Sequence, residues 1–136
     1  MSVRQAAAAL AVGLLAFAAR AEIGEDRFLA DSTEDLIVLC EAPKSDPMHD
    51  AAIGFCYGFL IGAYTAHVTE HAGPDGTPVV CLPDPQPTRS EGVQQYVAWA
   101  RAHPEYAQER PVESLFKFLS ETWPCPARAA AKENPS

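Results

Sequence analysis

Apolar residues recur at helical spacing in four segments of the chain, whereas no stretch has the strict apolar–polar alternation of a half-buried strand. The first, third and fourth segments follow a helix start signal, and prolines or a glycine-rich turn separate the segments. The predicted helices begin near Thr33, Met48, Thr88 and Pro111. Because turns and one proline-rich loop join them, the sequence predicts an all-α domain with a small, four-helix bundle-like fold.

The second predicted helix is the longest and would form the centre of the fold. It runs from about Met48 to His71, and its apolar face is Ile53, Tyr57, Leu60, Tyr64 and Val68. The face of the fourth helix is Val112, Leu115, Phe116, Leu119 and Trp123. On the exposed side of that helix, Glu113 and Lys117 have the spacing of an i,i+4 ion pair.

Three glycines, Gly54, Gly58 and Gly62, lie four residues apart on the second helix. Each costs about 1 kcal/mol relative to alanine in a helix interior, so a close backbone contact should compensate. A glycine stripe lets a neighbouring helix approach closely. That neighbour is either another helix of the same chain or a second copy across a two-fold axis.

The N-terminal segment has the pattern of a cleaved secretory signal peptide. Arg4 precedes an uncharged apolar stretch, and Ala19 and Ala21 form an Ala-x-Ala cleavage site. The apolar stretch is shorter than the roughly 20 residues that a membrane anchor needs. This favours cleavage between Ala21 and Glu22 over an uncleaved anchor.

The chain therefore divides into a signal peptide at 1–21, a helical domain at 22–126 and a flexible tail at 127–136. Export would place the domain in the periplasm. Residues 51–68 carry no formally charged side chain and are marginal in length for a membrane span. Their glycines, tyrosines and other polar residues favour a core helix instead, so no span is expected after signal cleavage.

The formal net charge is −8, and cleavage lowers it to −10 because the signal peptide contains two basic residues and no acidic one. Nucleic acid is therefore not an expected partner. The carboxylates would attract a basic protein surface, although the same excess also keeps an exported domain soluble.

An even number of cysteines in a small exported domain indicates disulfides. Three pairings of Cys40, Cys56, Cys81 and Cys125 are formally possible. In an up-and-down bundle, helix one ends beside the start of helix two, and helix three starts beside the end of helix four. This geometry predicts the pairs Cys40–Cys56 and Cys81–Cys125.

The sequence contains no convincing catalytic or metal site. A thiol hydrolase needs a free cysteine, and four bridged cysteines leave none. His67, Glu70 and His71 could form half of a metal site on one helix, but no further ligands stand out. Exposed histidines near a helix end are instead typical partners of the helix dipole. We therefore expect neither an enzyme nor a cofactor.

Five segments occur in a characteristic order: LIVLC, GFCYGFLIGAY, VCLPDPQ, YVAWARAHPE and LFKFLSETWPC. Together with the four cysteines and the Trp123-Pro124-Cys125 ending, they resemble the Rap/Tai family over about residues 33–125. Members are small exported proteins associated with type VI secretion, and the best understood are immunity proteins against peptidoglycan amidase toxins. The resemblance implies an all-α, often homodimeric protein that inserts its surface into the toxin's catalytic cleft.

Inhibition of such an amidase by occlusion in the periplasm is therefore the expected function. The alternative is a periplasmic acid-stress chaperone, since a small helical domain rich in carboxylates would titrate at low pH. The two functions differ in whether apolar surface becomes exposed on acidification.

Two irregular, exposed stretches are candidates for the partner-binding surface. The 73–87 loop is stiffened by prolines and carries Asp75 and Asp84, so it could enter a cleft with little loss of conformational entropy. The turn after the third helix adds Tyr106, a residue type enriched at binding hot spots. The same turn is also typical of a tyrosine that packs against its neighbours, which is the favoured interpretation of Tyr106.

Overall fold

The computed structural model describes residues 22–126, so the predicted signal peptide and tail lie outside the described residues. Two short 3-10 helices, Glu25–Leu29 and Pro104–Tyr106, lie before the first and the fourth α-helix. Within the described range the β-type pairing is limited to an isolated bridge between Val80 and Pro124. The α-helices are α1 (Thr33–Cys40), α2 (His49–Glu70), α3 (Arg89–Ala102) and α4 (Pro111–Thr122). The predicted all-α fold with four helices is confirmed.

Local side-chain chemistry sets the helix starts close to where the sequence predicts them. The Ser32 hydroxyl accepts from the Asp35 N–H, and the Asp35 carboxylate accepts from the Ser32 N–H, which makes a capping box at α1. Thr88 and Glu91 form the same motif at α3. Pro111 occupies the first turn of α4, where its missing N–H leaves no hydrogen bond unmade.

The core lies where the four α-helices converge. Its largest cluster of buried side chains is Leu36, Ile37, Cys56, Leu60, Val80, Val93, Tyr96, Ala100, Leu115, Phe118 and Leu119. α3 buries Val93, Tyr96 and Ala100, whose spacing of three and four residues places them on one face of the helix.

The face that the central helix turns to the core is rotated from the predicted one: Leu60 is buried as predicted, whereas Ile53, Tyr57 and Tyr64 are only partly buried. The buried residues of α2 are Ala52, Cys56, Leu60 and His67, whereas Val68 is 46% exposed. Apolar residues surround α2 on all sides, so a three-to-four spacing fits more than one face. On α4 the difference is smaller: Phe118 joins Leu115 and Leu119 in the core, and Val112 is exposed.

Both predicted disulfides are confirmed. Cys40, the last residue of α1, is bonded to Cys56 of α2, and their Cα atoms are 5.1 Å apart. Cys81 is bonded to Cys125 at a Cα separation of 4.8 Å. This second bond links the α2–α3 loop to the segment after α4, so it fastens a loop to the bundle.

Three hydroxyl groups form a hydrogen-bonded cluster inside the core. Thr33 Oγ1 and the Tyr96 hydroxyl each lie 2.7 Å from Ser114 Oγ. All three residues are at most 2% exposed, and burial raises the pKa of Tyr96. The cluster connects α1, α3 and α4. Within the described range no buried side-chain nitrogen or oxygen lacks a hydrogen-bond partner.

Most basic side chains of the domain are used in internal ion pairs. Arg101 of α3 binds Glu34 and Glu41, which lie at the two ends of α1. Of the six basic residues within 22–126, those in ion pairs are Arg27, Arg101, Arg110 and Lys117. Such exposed pairs typically stabilise a fold by about 0–1 kcal/mol each.

The ion pair predicted between Glu113 and Lys117 is wrong. Glu113 binds Arg110 three residues earlier, and Lys117 binds Glu121 at 2.9 Å. Each residue has an alternative partner at helical spacing, so the sequence pattern alone could not decide between them.

Candidate functional site

The cysteines provide no catalytic nucleophile. All four are bonded in the two disulfides, and no free cysteine is found in the described chain. A thiol hydrolase needs a thiolate, so the cysteines here have a structural role.

His67 is buried, although its position near the end of α2 predicts an exposed side chain. It is 8% exposed, and its ring centroid lies 4.3 Å from that of His71 and 5.0 Å from that of Phe116. Its Nε2 accepts a hydrogen bond from the Val79 N–H at 3.4 Å. This hydrogen bond links α2 to the following loop.

Residues 22–126 contain no group of three or more His, Cys, Asp or Glu side chains that could hold a metal.

We expect the domain to lose stability as the pH falls below about 6.5, in part because of His67. Burial, and to a lesser degree His71, lowers the pKa of His67 in the folded state. The unfolded chain therefore takes up this proton first, and the free energy of unfolding decreases with acidification. His67→Gln should flatten the change between about pH 7.5 and about pH 5 in chemical denaturation.

His71→Gln is the matched control: it removes a histidine from the same helix end but keeps the burial of His67 and the acceptor for Val79, so it should reduce the pH dependence less than His67→Gln does. A His67→Gln variant with the same pH dependence as the parent would contradict this role for His67.

The 73–87 loop, the main candidate for partner binding, is fastened to the bundle at its centre. Val80 pairs with Pro124, and the Cys81 N–H donates to the Trp123 carbonyl at 2.9 Å. The Cys81 disulfide and the contact with His67 lie at the same place in the loop. The centre of the loop is therefore held against the bundle before any partner arrives, which lowers the entropy lost there on binding.

The three predicted partner-binding residues divide into two groups. Asp75 and Asp84 lie on either side of the fastened centre of the loop, and both are exposed. Tyr106 lies elsewhere: its ring stacks on Trp99 of α3, with centroids 5.2 Å apart and planes inclined by 23°. This contact is the packing role favoured from the sequence, and it leaves Tyr106 half-buried.

The glycine stripe of α2 faces open space. A Cβ added at Gly54, Gly58 or Gly62 would meet no atom of a neighbouring element within 4 Å in the described structure. The alternative that another helix of the same chain packs against the stripe is therefore wrong within residues 22–126. The alternative contact with a second copy stays a prediction.

α2 is less buried than a core helix usually is. By length and composition it could cross a membrane. Its most apolar 18-residue stretch has a mean hydropathy of 1.4, and 22% of that stretch is buried inside the domain. Core helices of soluble proteins pass the same test, so this one helix is weak evidence for a membrane span. Its uncharged outer side is nevertheless an unusual surface for an acidic domain.

An apolar cavity of about 260 Å³ lies between α2, the 73–87 loop, α3 and α4. Its floor consists of the buried residues Leu60, Val93, Tyr96, Leu115, Phe118 and Leu119. Its rim is formed by the exposed residues Thr65, Gln86, Thr88 and Arg89. No sequence pattern marks this cavity, because four separate segments build it.

The sequence model of the Rap1a immunity proteins matches residues 32–125. This chain belongs to the Rap1a immunity protein family. No curated protein and no solved structure gives a significant match. The matched range begins at the Ser32 cap of α1 and ends at Cys125, so the family's domain contains all four α-helices and both disulfides.

Rap1a immunity proteins are inhibitors that bind a toxin. A member of this family therefore needs a surface that binds another protein. The matched range includes the 73–87 loop, the glycine stripe and the apolar cavity. The 3-10 helix Glu25–Leu29 lies before the matched range.

Proposed function

We propose that this Rap1a protein is exported to the periplasm, where it inhibits a peptidoglycan amidase toxin of type VI secretion by covering its active site. The observation that carries this proposal is the family match over residues 32–125. Two disulfides suit an oxidising compartment outside the cytoplasm. Export itself would depend on the predicted signal peptide at 1–21.

The 73–87 loop is the surface that we assign to the toxin's cleft. It is exposed at Asp75 and Asp84 and fastened between them, so it combines access with a fixed shape. The carboxylates of the loop, and the net charge that signal cleavage lowers from −8 to −10, would suit a cleft with a basic rim.

The experiment that tests this function uses the purified mature chain and a toxin-like amidase encoded in its genomic neighbourhood; the absence of any such gene would count against the proposal. Peptidoglycan hydrolysis is measured at rising inhibitor and substrate concentrations. Occlusion predicts tight binding and competition, so soluble peptidoglycan fragments should slow formation of the complex. Absence of binding, or inhibition that substrate does not oppose, would overturn the proposal.

Single substitutions within the complex should locate the interface. We expect Asp75→Asn, Asp84→Asn or Tyr106→Ala to weaken toxin affinity by at least about fivefold, or about 1 kcal/mol, at one or more of the three positions. Thermal stability should be unchanged in the two aspartate variants, which alter exposed side chains. Isothermal titration calorimetry measures the affinity, and differential scanning calorimetry measures the thermal stability.

Asp31→Asn is the matched control, since Asp31 is an exposed carboxylate outside the loop. If all three variants and the control bind equally, the toxin docks elsewhere, and the exposed faces of α3 and α4 become the next candidates.

We further propose that the glycine stripe of α2 is the contact between two copies of this chain. The stripe is open within one copy, and residues 51–68 around it carry no charge that would be desolvated in a symmetric contact. Glycines would let the two α2 helices approach at backbone distance.

Gly58→Glu should therefore convert the dimer to a monomer, because it places a charge in the centre of the contact. Gly58→Ala is the matched control: it should keep the dimer and raise helix stability by up to about 1 kcal/mol. Light scattering and sedimentation velocity measure the outcome. A parent protein that stays monomeric at high concentration would contradict the dimer.

A further inference from the structure

The apolar cavity has a buried floor and a polar rim, which is the construction of a small-molecule site. Its volume of about 260 Å³ lies close to the lower end of the range of about 300–1,000 Å³ for such pockets. The floor consists of core side chains, among them Tyr96 at 0% and Phe118 at 3% exposure. Such buried side chains leave little accessible surface at the floor, which suits a short and narrow apolar group.

Arg89 gives the rim a free positive charge. Among the six basic residues within 22–126, Arg89 and Lys44 form no ion pair, and only Arg89 lines the cavity. The nearby Glu91 carboxylate is used in the cap of α3, where it accepts from the Thr88 N–H and hydroxyl at 2.7 Å each. The guanidinium therefore stays available for an anion.

Tyr64 supplies a second polar group in the cavity wall. Its side chain lines the cavity and packs against the core. Among the hydrogen bonds of the described chain, none involves its hydroxyl, and burial raises the pKa of this group. A phenol with a free O–H can donate to a carboxylate oxygen.

Gly92 keeps one side of the cavity open. It lies inside α3 and lines the cavity, and a Cβ added there would meet no atom of a neighbouring element within 4 Å. Alanine would fit and would stabilise the helix by about 1 kcal/mol. The missing side chain therefore leaves space in the cavity without serving the packing of the fold.

We propose that the apolar cavity binds a small amphipathic carboxylate, whose hydrocarbon or aromatic part fills the floor and whose anionic group pairs with Arg89. Charge complementarity selects a carboxylate over a neutral or cationic amphiphile, since a guanidinium forms strong charge-assisted hydrogen bonds with carboxylates. This site does not depend on the toxin, because it needs only the four elements around the cavity.

Octanoate is the probe for this site, and the indole N–H signals of the mature, isotope-labelled protein report its binding by NMR. Trp123 lines the cavity, whereas Trp99 does not line it and contacts its floor residue Phe118, with ring centroids 6.0 Å apart. Octanoate should shift the Trp123 signal saturably and by more than that of Trp99. Octanol, which has the same chain without the charge, should bind about tenfold more weakly.

Two pairs of variants separate the contributions of charge and space. Arg89→Gln should weaken octanoate binding by about tenfold and leave octanol binding unchanged, whereas Lys44→Gln should alter neither. Gly92→Leu should abolish binding of both probes by filling the cavity, whereas Gly92→Ala should retain it. Circular dichroism checks that each variant is folded.

Three results would overturn the proposal: no saturable shift of Trp123 at millimolar octanoate, equal affinity for octanoate and octanol, or parent-like binding by folded Gly92→Leu. If the parent protein binds octanoate but does not inhibit the amidase, only the toxin hypothesis is contradicted. The two proposals can therefore be tested independently.

Discussion

Replacing Cys81 and Cys125 together by alanine should lower the free energy of unfolding by about 4 kcal/mol, against about 3 kcal/mol for the Cys40 and Cys56 pair. The difference follows from the loops that the bonds close, since the sequence separations are 44 and 16 residues. A longer closed loop restricts the unfolded chain more. Denaturant titration of the two double variants measures both losses.

The two closed loops do not overlap along the chain, so their contributions should add in the variant without cysteines. Reduced parent protein is the control and should match that variant. The summed loss of about 7 kcal/mol is comparable with the total stability of about 5–15 kcal/mol of a typical domain. A larger loss for the Cys40–Cys56 pair would show that packing around buried Cys56 outweighs loop closure.

Ser114→Ala should cost about 1–3 kcal/mol of unfolding free energy, although it removes a single oxygen atom. Ser114 Oγ lies between Thr33 and the fully buried Tyr96 hydroxyl, so its removal leaves a polar group without its partner. Tyr96→Phe combined with Ser114→Ala should cost less than the sum of the single variants, because both members of that hydrogen bond are then absent.

Ser120→Ala is the matched control on the same helix. Ser114 and Ser120 both donate to the carbonyl three residues earlier, at 3.1 Å, but Ser120 does not belong to the buried cluster. The control should stay within about 0.5 kcal/mol of the parent. Additive losses in the double variant would contradict a direct Tyr96–Ser114 interaction.

The features of the fold that could be predicted from the sequence are those set by interactions between residues close together in the chain. The capping box at Thr88 and the proline at Pro111 act within one helical turn, and the helices begin where these signals lie. The cysteine pairing needed only the order of the helices. The buried face of α2 could not be predicted, because its apolar residues occur all around the helix and the choice of face depends on α1, α3 and α4.

The candidate sites are harder to predict from the sequence than the helices are. Asp75 and Asp84 were found from the composition of their loop, but its fastening by His67 and Pro124 depends on contacts between distant segments. Residue type alone could not decide the role of Tyr106, because a tyrosine ring can either bind a partner or pack within the fold. In this structure it stacks on Trp99. The apolar cavity has no sequence signal, because it is the space that four elements leave between them.

The internal use of most basic side chains determines how a partner would approach this domain. Arg101 is held by Glu34 and Glu41, and the other paired cations are neutralised in the same way, so the outward field is dominated by carboxylates. Such a field accelerates the encounter with a cationic protein and acts over about 8 Å at physiological salt. Added salt should therefore slow association with a basic partner much more than it speeds dissociation. The acidic surface would thus set how quickly a toxin is captured, while the contacts at the fastened loop would set how long it is held.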